Sequence, residues 1–397
     1  MDQMAAGLNT TRLDVTQLNP ENLDTNPSDS PGQPIGDRQQ SCPVNSYNSW
    51  DLLEEVIVGR LEGAVIPPNH PVVTFNIPKQ SARWLKFVGG MPYPNWIVQR
   101  AQKQLDEFIH ILEAEGVRVR RPDILDFKTR YKTPDWSSRG HCVACPRDGF
   151  IVIGNEIIET PMAWRSRFFE AYAYRSLFKE YFAQGARWTA APKPQLLDSL
   201  YDYNFSVSQA GEAMRYVINE SEPVFDAADF IRCGRDIFVQ KSNVTNEFGI
   251  EWMRRHLGDQ YHVHVIETEC RTPMHIDSSF MPLAPGKLLI NPDYIDIHKL
   301  PKMFKSWDVI IAPQPEPNPG SMSKRITQTS NWISLNMLML DETRVIVERN
   351  QSSMIKVLKD YGFEPIPCSF YEYQAFGGSF HCATLDIRRR GTLQSYF

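Results

Sequence analysis

No stretch of this chain approaches the roughly eighteen consecutive apolar residues that a membrane-crossing helix needs, so the sequence carries no spanning segment. Positive charge is also in short supply. Lys and Arg number 42 against 47 Asp and Glu, for a net charge of −5, and no basic stripe with interleaved aromatics occurs, which sets nucleic acid aside as a partner. Seven cysteines, an odd number scattered at 42, 142, 145, 233, 270, 368 and 382, make no disulfide framework. A reducing compartment, the cytoplasm, is the expected location. The chain has no G-x-G-x-x-G, no phosphate-cradling glycine loop and no G-x-S-x-G, which removes the usual marks of dinucleotide binding and of serine hydrolases.

Residues 1–40 lack large apolar side chains and are rich in Asn, Asp, Pro, Ser and Gln, so they are expected to be a disordered tail. Arg12 and Arg38 face six acidic residues there, and no apolar core is present, so neither a transit peptide nor a secretory signal fits. Residues 41–397 are expected to form a single domain.

What the chain does have is a recurring pattern. Short β-branched runs end in turn residues at 55–60, 149–155, 236–240, 286–291 and 343–348, each long enough for one buried strand. Helical periodicity follows several of them, over Met162–Phe182, Phe248–Leu257 and Gln351–Tyr361. Another helix, Ile97–Glu115, stops at Gly116 before the strand Val117–Arg120. The wording Arg147-Asp148-Gly-Phe returns as Arg235-Asp236-Ile-Phe. The pattern predicts an α/β fold in which five strand-turn-strand-helix modules repeat around an axis.

Several polar groups stand out. Cys382 follows Gly377-Gly378 and precedes Arg388-Arg389-Arg390, a setting that suggests an exposed thiol favoured as thiolate by nearby positive charge. A lone cysteine is more often core than catalyst. His275 and Asp277, two apart, would share one face of a strand. Asp226 and Asp229, flanked by Phe225 and Phe230, offer a carboxylate pocket for a cation, although a helix cap would explain one of them equally well. Asp148 has the same ambiguity. Cys142-x-x-Cys145 lacks a second ligand pair and reads as two ordinary thiols, and His262 and His264 read as the polar face of a strand. No ligand set has metal-site spacing. One thiol, one imidazole and several carboxylates suit a planar cation such as guanidinium, which carboxylates grip in a fork while a thiolate attacks its carbon.

From about Cys42 to Phe397 the sequence resembles the L-arginine:glycine amidinotransferases. The likeness rests on long motifs: Ser46-Tyr-Asn-Ser-Trp-Asp-Leu-Leu-Glu-Glu-Val-Ile-Val-Gly-Arg60, Gly154-Asn-Glu-Ile-Ile-Glu-Thr-Pro-Met-Ala-Trp-Arg-Ser-Arg167, Phe225-Asp-Ala-Ala-Asp-Phe-Ile-Arg232 and Pro273-Met-His-Ile-Asp277. The resemblance implies the five-bladed α/β-propeller (pentein) fold, an amidino-cysteine on Cys382, and ping-pong transfer from L-arginine to an amine acceptor with ornithine released. It implies His275 as general acid/base, Asp226 as the acid that orients it, and Asp148 with Asp277 as the guanidinium clamp. It calls for no metal or organic cofactor, and a homodimer is an allowed assembly. Met274 keeps a family residue, Thr272 stands where the glycine enzymes have Asn, and Ser330 matches the family's serine contact. The loop before it, Pro313–Ser323, differs. Tyr294 stands where the family has a carboxylate-binding arginine. Among its members the chain is similar to the cyanotoxin-pathway enzymes, more to the saxitoxin-pathway member, whose acceptor is a polyketide-derived amino ketone, than to the cylindrospermopsin member, whose acceptor is glycine.

Overall fold

Five three-stranded sheets carry one strand pattern in this computed structural model, which describes residues 42–319 and 327–397. The expected tail at 1–40 lies outside the described residues, as does the end of the divergent loop before Ser330. In the second sheet, Phe150–Ile153 runs antiparallel to Glu156–Glu159, which pairs in parallel with Arg187–Ala190. The third sheet repeats this with Phe230–Cys233, Asp236–Val239 and His262–Val265. The fourth uses Phe280–Ala284, Lys287–Ile290 and Asp308–Ile311, and the fifth Leu338–Met339, Arg344–Glu348 and Glu364–Cys368. The first sheet is completed from both ends of the described chain: Leu52–Val58 pairs antiparallel with Thr384–Arg390 and parallel with Arg118–Arg120.

Turn chemistry explains the shared pattern. An antiparallel pair closes through a tight turn, and Gly154, Gly234 and Gly286 supply positive φ values of 62°, 67° and 77° between the first two strands of three sheets. The fifth sheet has no glycine there; Asp341 Oδ1 accepts from the backbone N–H of Thr343 and Arg344 instead. A parallel third strand needs a crossover. Helices Asn95–Ala114, Arg175–Ala183, Glu247–Leu257 and Ser352–Asp360 provide it in four sheets. In the fourth, where Pro292 and Pro301 break the pattern, two 3-10 turns (Ile297–Lys299 and Lys302–Ser306) do the same. First strands are buried throughout in the second, third and fourth sheets and are mostly apolar, with Arg232 the charged exception.

Two sequence expectations change. The helix predicted over Met162–Phe182 is two 3-10 turns, Arg165–Arg167 and Glu170–Tyr174, followed by the α-helix from Arg175. Arg167 is drawn inward there, to Asp148, Glu170 and the carbonyl of Cys145, and this tertiary pull overrides the helical periodicity. The repeated Arg-Asp wording is coincidental: Asp148 precedes a first strand, whereas Asp236 begins a second strand.

Asp386, on the C-terminal strand, ties the modules together. Its carboxylate accepts from Arg147 (2.6 Å), Arg232 (2.9 Å) and Arg389 (2.8 Å), all buried. Those arginines reach on to the carbonyls of His381, Val152, Asp51 and Met339. Burial alone would raise the pKa of Asp386, but the three guanidinium groups hold it well below the ordinary value.

Candidate active site

The polar residues singled out above converge because each module delivers its functional side chain from the same place, the few residues before its first strand. Asp148 stands two residues before Phe150, Asp226 four before Phe230, Asp277 three before Phe280 and Cys382 two before Thr384. All are buried, with Cys382 only 2% exposed.

His275 sits among three aspartates. Its Nε2 lies 3.0 Å from Asp226 Oδ2, and its Nδ1 lies 3.7 Å from Asp148 Oδ1. Burial opposes protonation of the ring, yet Asp148, Asp226 and Asp229 together push its pKa up to about 10. Asp226 is raised to about 6 by burial, against the pull of His275. Asp226 Oδ2 also accepts from the indole N–H of Trp164 at 3.1 Å. Asp229, the second acid of that motif, turns away from the site and is held by Gln240, Ser242 and Thr245.

The strand geometry expected for His275 and Asp277 is not what the chain adopts. His275 has φ 59°, in the left-handed region, and Ile276–Ser278 is a 3-10 turn, so the two side chains diverge. Asp277 Oδ2 accepts from His381 Nδ1 at 2.7 Å and from Asn336 Nδ2 at 2.8 Å, and it faces Cys382 Sγ at 3.7 Å. Burial and the neighbouring Arg147 lower His381 to about 4, so it donates as a neutral imidazole, and these donors keep Asp277 ionised despite burial.

Cys382 also departs from expectation. It is packed, not exposed, and a Cβ at Gly378 would meet its Cβ at 2.4 Å. Arg388 and Arg390 pair with Glu54, and Arg389 with Asp386, so the basic run does not serve the thiol. Burial first, then Asp277 and Asp148, raise the thiol well above its ordinary value. Positive charge brought beside this thiol would shift it toward the thiolate.

Three carboxylate oxygens around this thiol, Asp148 Oδ1, Asp226 Oδ1 and Asp277 Oδ1, are buried without a hydrogen-bond partner among the described residues. Their opposite oxygens are committed: Asp148 Oδ2, for example, accepts from Arg167 at 2.7 Å. Buried unpaired carboxylate oxygens are costly unless a cation with several N–H donors completes them. One donor atom each from Asp148, His275 and Cys382 lies within 4.8 Å of the others. That donor set could also hold a thiophilic divalent ion. Spacing along the sequence could not reveal it, because the three residues come from three modules.

A pocket of about 90 Å³ opens onto Cys382, His275 and Asp277, and its wall includes Thr272, Met274, Tyr294 and Ser330. Tyr294 interacts with the side chains of Cys270 and Ser330, and burial raises its hydroxyl to about 12, so it stays neutral. No Lys or Arg lines this pocket among the described residues.

Three contributors escaped the sequence reading. Asn336 donates to Asp277 and accepts from the backbone N–H of Cys382 at 2.9 Å. Its place, two residues before the first strand of the fifth sheet, is the signal that could have found it. Arg167 lies in a segment whose periodicity reads as helix, and His381 stands alone beside Cys382 with no pattern to mark it.

No protein-family model matches the chain. The L-arginine:L-lysine amidinotransferase of Pseudomonas savastanoi pv. phaseolicola is 52% identical over 358 residues, covering 90% of this chain and 97% of the relative. The mitochondrial glycine amidinotransferase of Gallus gallus is 48% identical over 369 residues, covering 90% and 86%. Among solved structures, SxtG, an amidinotransferase from Microseira wollei in the saxitoxin biosynthetic pathway, superposes with a TM-score of 0.87 at 59% identity, covering 90% of this chain and all of that one.

Proposed function

The chain belongs to the amidinotransferase family, and on that premise we propose that it moves the amidino group of L-arginine through an amidino-Cys382 intermediate to an amine acceptor. The observation that carries this reading is the set of three unpartnered carboxylate oxygens around a thiol and an imidazole. A guanidinium is planar, cationic and rich in N–H donors, and it completes that set.

The steps follow from the charges. Entry of the guanidinium offsets the carboxylates that suppress ionisation of Cys382, and the thiol proton leaves to solvent. The thiolate forms a C–S bond to the guanidinium carbon. His275, already protonated, gives its proton to the departing side-chain nitrogen as the C–N bond breaks, and ornithine leaves. Asp226 fixes the ring and Asp148 with Asp277 hold the amidino group in line. The acceptor amine then attacks the same carbon, His275 takes its proton, and Cys382 departs as thiolate. We infer also that the five sheets stand around a common axis as a propeller; completion of the first sheet by the C-terminal strand and the delivery of one polar group per module support it.

The acceptor is inferred to lack a carboxylate, most simply an amino ketone. Arginine is anchored by its guanidinium, but once that group sits on Cys382 an acceptor has only the pocket wall. That wall offers the neutral hydroxyls of Tyr294, Ser330 and Thr272 rather than a guanidinium fork. Relatives named for glycine give the alternative, synthesis of guanidinoacetate. Purified enzyme given labelled arginine should transfer the label to an alkyl amino ketone at least tenfold faster than to glycine. Tyr294→Arg should raise kcat/KM for glycine by about tenfold, the worth of one charge-assisted pair. Glycine emerging as much the better acceptor of the unaltered enzyme would overturn the assignment. Citrulline formed from arginine alone would instead favour hydrolysis.

A further inference from the structure

Amidino transfer leaves the Cys142–Cys145 pair without a role, yet the fold sets it behind the reacting thiol. The sulfurs of Cys142 and Cys145 lie 4.0 and 3.7 Å from the carbonyl oxygen of Phe376. Two residues further, a Cβ on Gly378 would stand 2.9 Å from Cys145 Sγ and 3.2 Å from Cys382 Sγ. Both sulfurs therefore border one gap that only glycine leaves open, and their separation is at most about twice a contact distance. Gly377, with φ 99°, lies in the same turn and gives it backbone freedom that a side chain would remove. Cys382 lines the substrate pocket, where a small solute can reach it. Cys145 lines a separate cavity of about 20 Å³, room for one water, which also borders Asp148, His275 and Gly377.

We propose that Cys145 is a resolving thiol, and that a hydroperoxide converts Cys382 and Cys145 into a reversible disulfide that stops the enzyme and spares its thiol from irreversible oxidation. Disulfide geometry requires the two Cβ atoms about 3.5–4.5 Å apart, a distance that a backbone shift through the Gly377–Gly378 turn would set, while rotation about χ1 aims the sulfurs at each other. All seven cysteines are free in the reduced protein, so the pair is available. In the first step the Cys382 thiolate attacks a peroxide oxygen. An S–O bond forms, the O–O bond breaks, and hydroxide leaves; sulfur loses two electrons and peroxide gains them. In the second, Cys145 gives up its proton and attacks that sulfur. The S–S bond forms, the S–O bond breaks, and the hydroxide released takes the proton as water. A Cys382 that lacks this partner remains a sulfenic acid open to a second peroxide and moves to the sulfinic acid, which thiols do not reverse. The inactivation, though not the bond itself, rests on Cys382 carrying the amidino group.

The test exposes the full chain to a few equivalents of hydrogen peroxide and maps its thiols by mass spectrometry without reduction. The expected result is a Cys145–Cys382 cross-link, two hydrogens lighter than the separate peptides. Activity should fall at least tenfold and return after dithiothreitol. Cys145→Ala should keep its basal rate within about twofold, yet its loss after peroxide should resist dithiothreitol, with Cys382 found as sulfinic acid. Mapping of the unaltered protein decides the matter even if that variant folds poorly. A Cys382 that is directly over-oxidised there, or joined to Cys142 instead, overturns the proposal. If the cross-link forms but Cys382→Ala still transfers amidino groups, the bond stands and the functional reading fails. If that variant is inactive and no cross-link forms, the resolving thiol alone is wrong.

Discussion

Cys382→Ala should abolish amidino transfer, lowering kcat by about 10⁴-fold or more, because no other group occupies the position from which a covalent intermediate can form. Arginine should still bind, with Kd changed by no more than about threefold. Its grip comes from Asp148 and Asp277, whose free oxygens remain when the sulfur is gone. Steady-state ornithine release measures the first quantity and calorimetry the second. The contrast between the two separates a lost nucleophile from a collapsed site, since collapse would remove binding as well. Alanine keeps the Cβ that packs beside Gly378, so a folding defect is not expected.

Asp386→Asn should destabilise the protein by about 3–5 kcal/mol, the cost of stranding buried charge when one partner of a buried cluster is neutralised. Arg147, Arg232 and Arg389 would then meet an amide in place of a carboxylate. The consequence reaches the active site through Arg147, which also holds the carbonyl of His381 beside Cys382. The pH dependence follows from the depressed pKa of Asp386. A folded-state value below the unfolded one contributes stability that is present above the unfolded value and lost as pH falls through the folded one. The gap between the two proteins in urea unfolding should therefore be full at pH 7, and should narrow only as pH falls past the ordinary aspartate value of 3.8. A gap that instead closes near neutrality would mean that another group supplies the stabilisation.

Much of this molecule was readable in its residues, and the misreadings share a cause. Phe150–Ile153, Asp236–Val239, Lys287–Ile290 and Arg344–Glu348 form strands where β-branched runs between turn residues predicted them. Local sterics and burial dictate such elements, so a local reading finds them. Strand periodicity for His275 and Asp277 holds only for extended backbone; the positive φ of His275 sends the two side chains to different partners. Cys382 was read as exposed because glycines and arginines flank it. The glycine instead lets the chain pack tightly; Arg388 and Arg390 answer Glu54, distant in sequence, and Arg389 answers Asp386. Asn336 acts on a thiol delivered by another module, and Arg167 reaches back to Asp148 beyond its helical neighbours, so no short window of sequence contains both contacts. The long motifs around Asp226 and His275 name those residues, while the shared position of the site's side chains ahead of each first strand requires the fold.

The covalent carrier is the centre of this account, and trapping it is the most direct test. The enzyme would be mixed with arginine labelled in the guanidino carbon, without acceptor, quenched in acid within a turnover, and digested for mass spectrometry. The account predicts label on the peptide containing Cys382, heavier by one amidino group, with one ornithine released per labelled site and loss of the label on adding an acceptor amine. Label absent from Cys382 while transfer to an acceptor proceeds at full rate would contradict it.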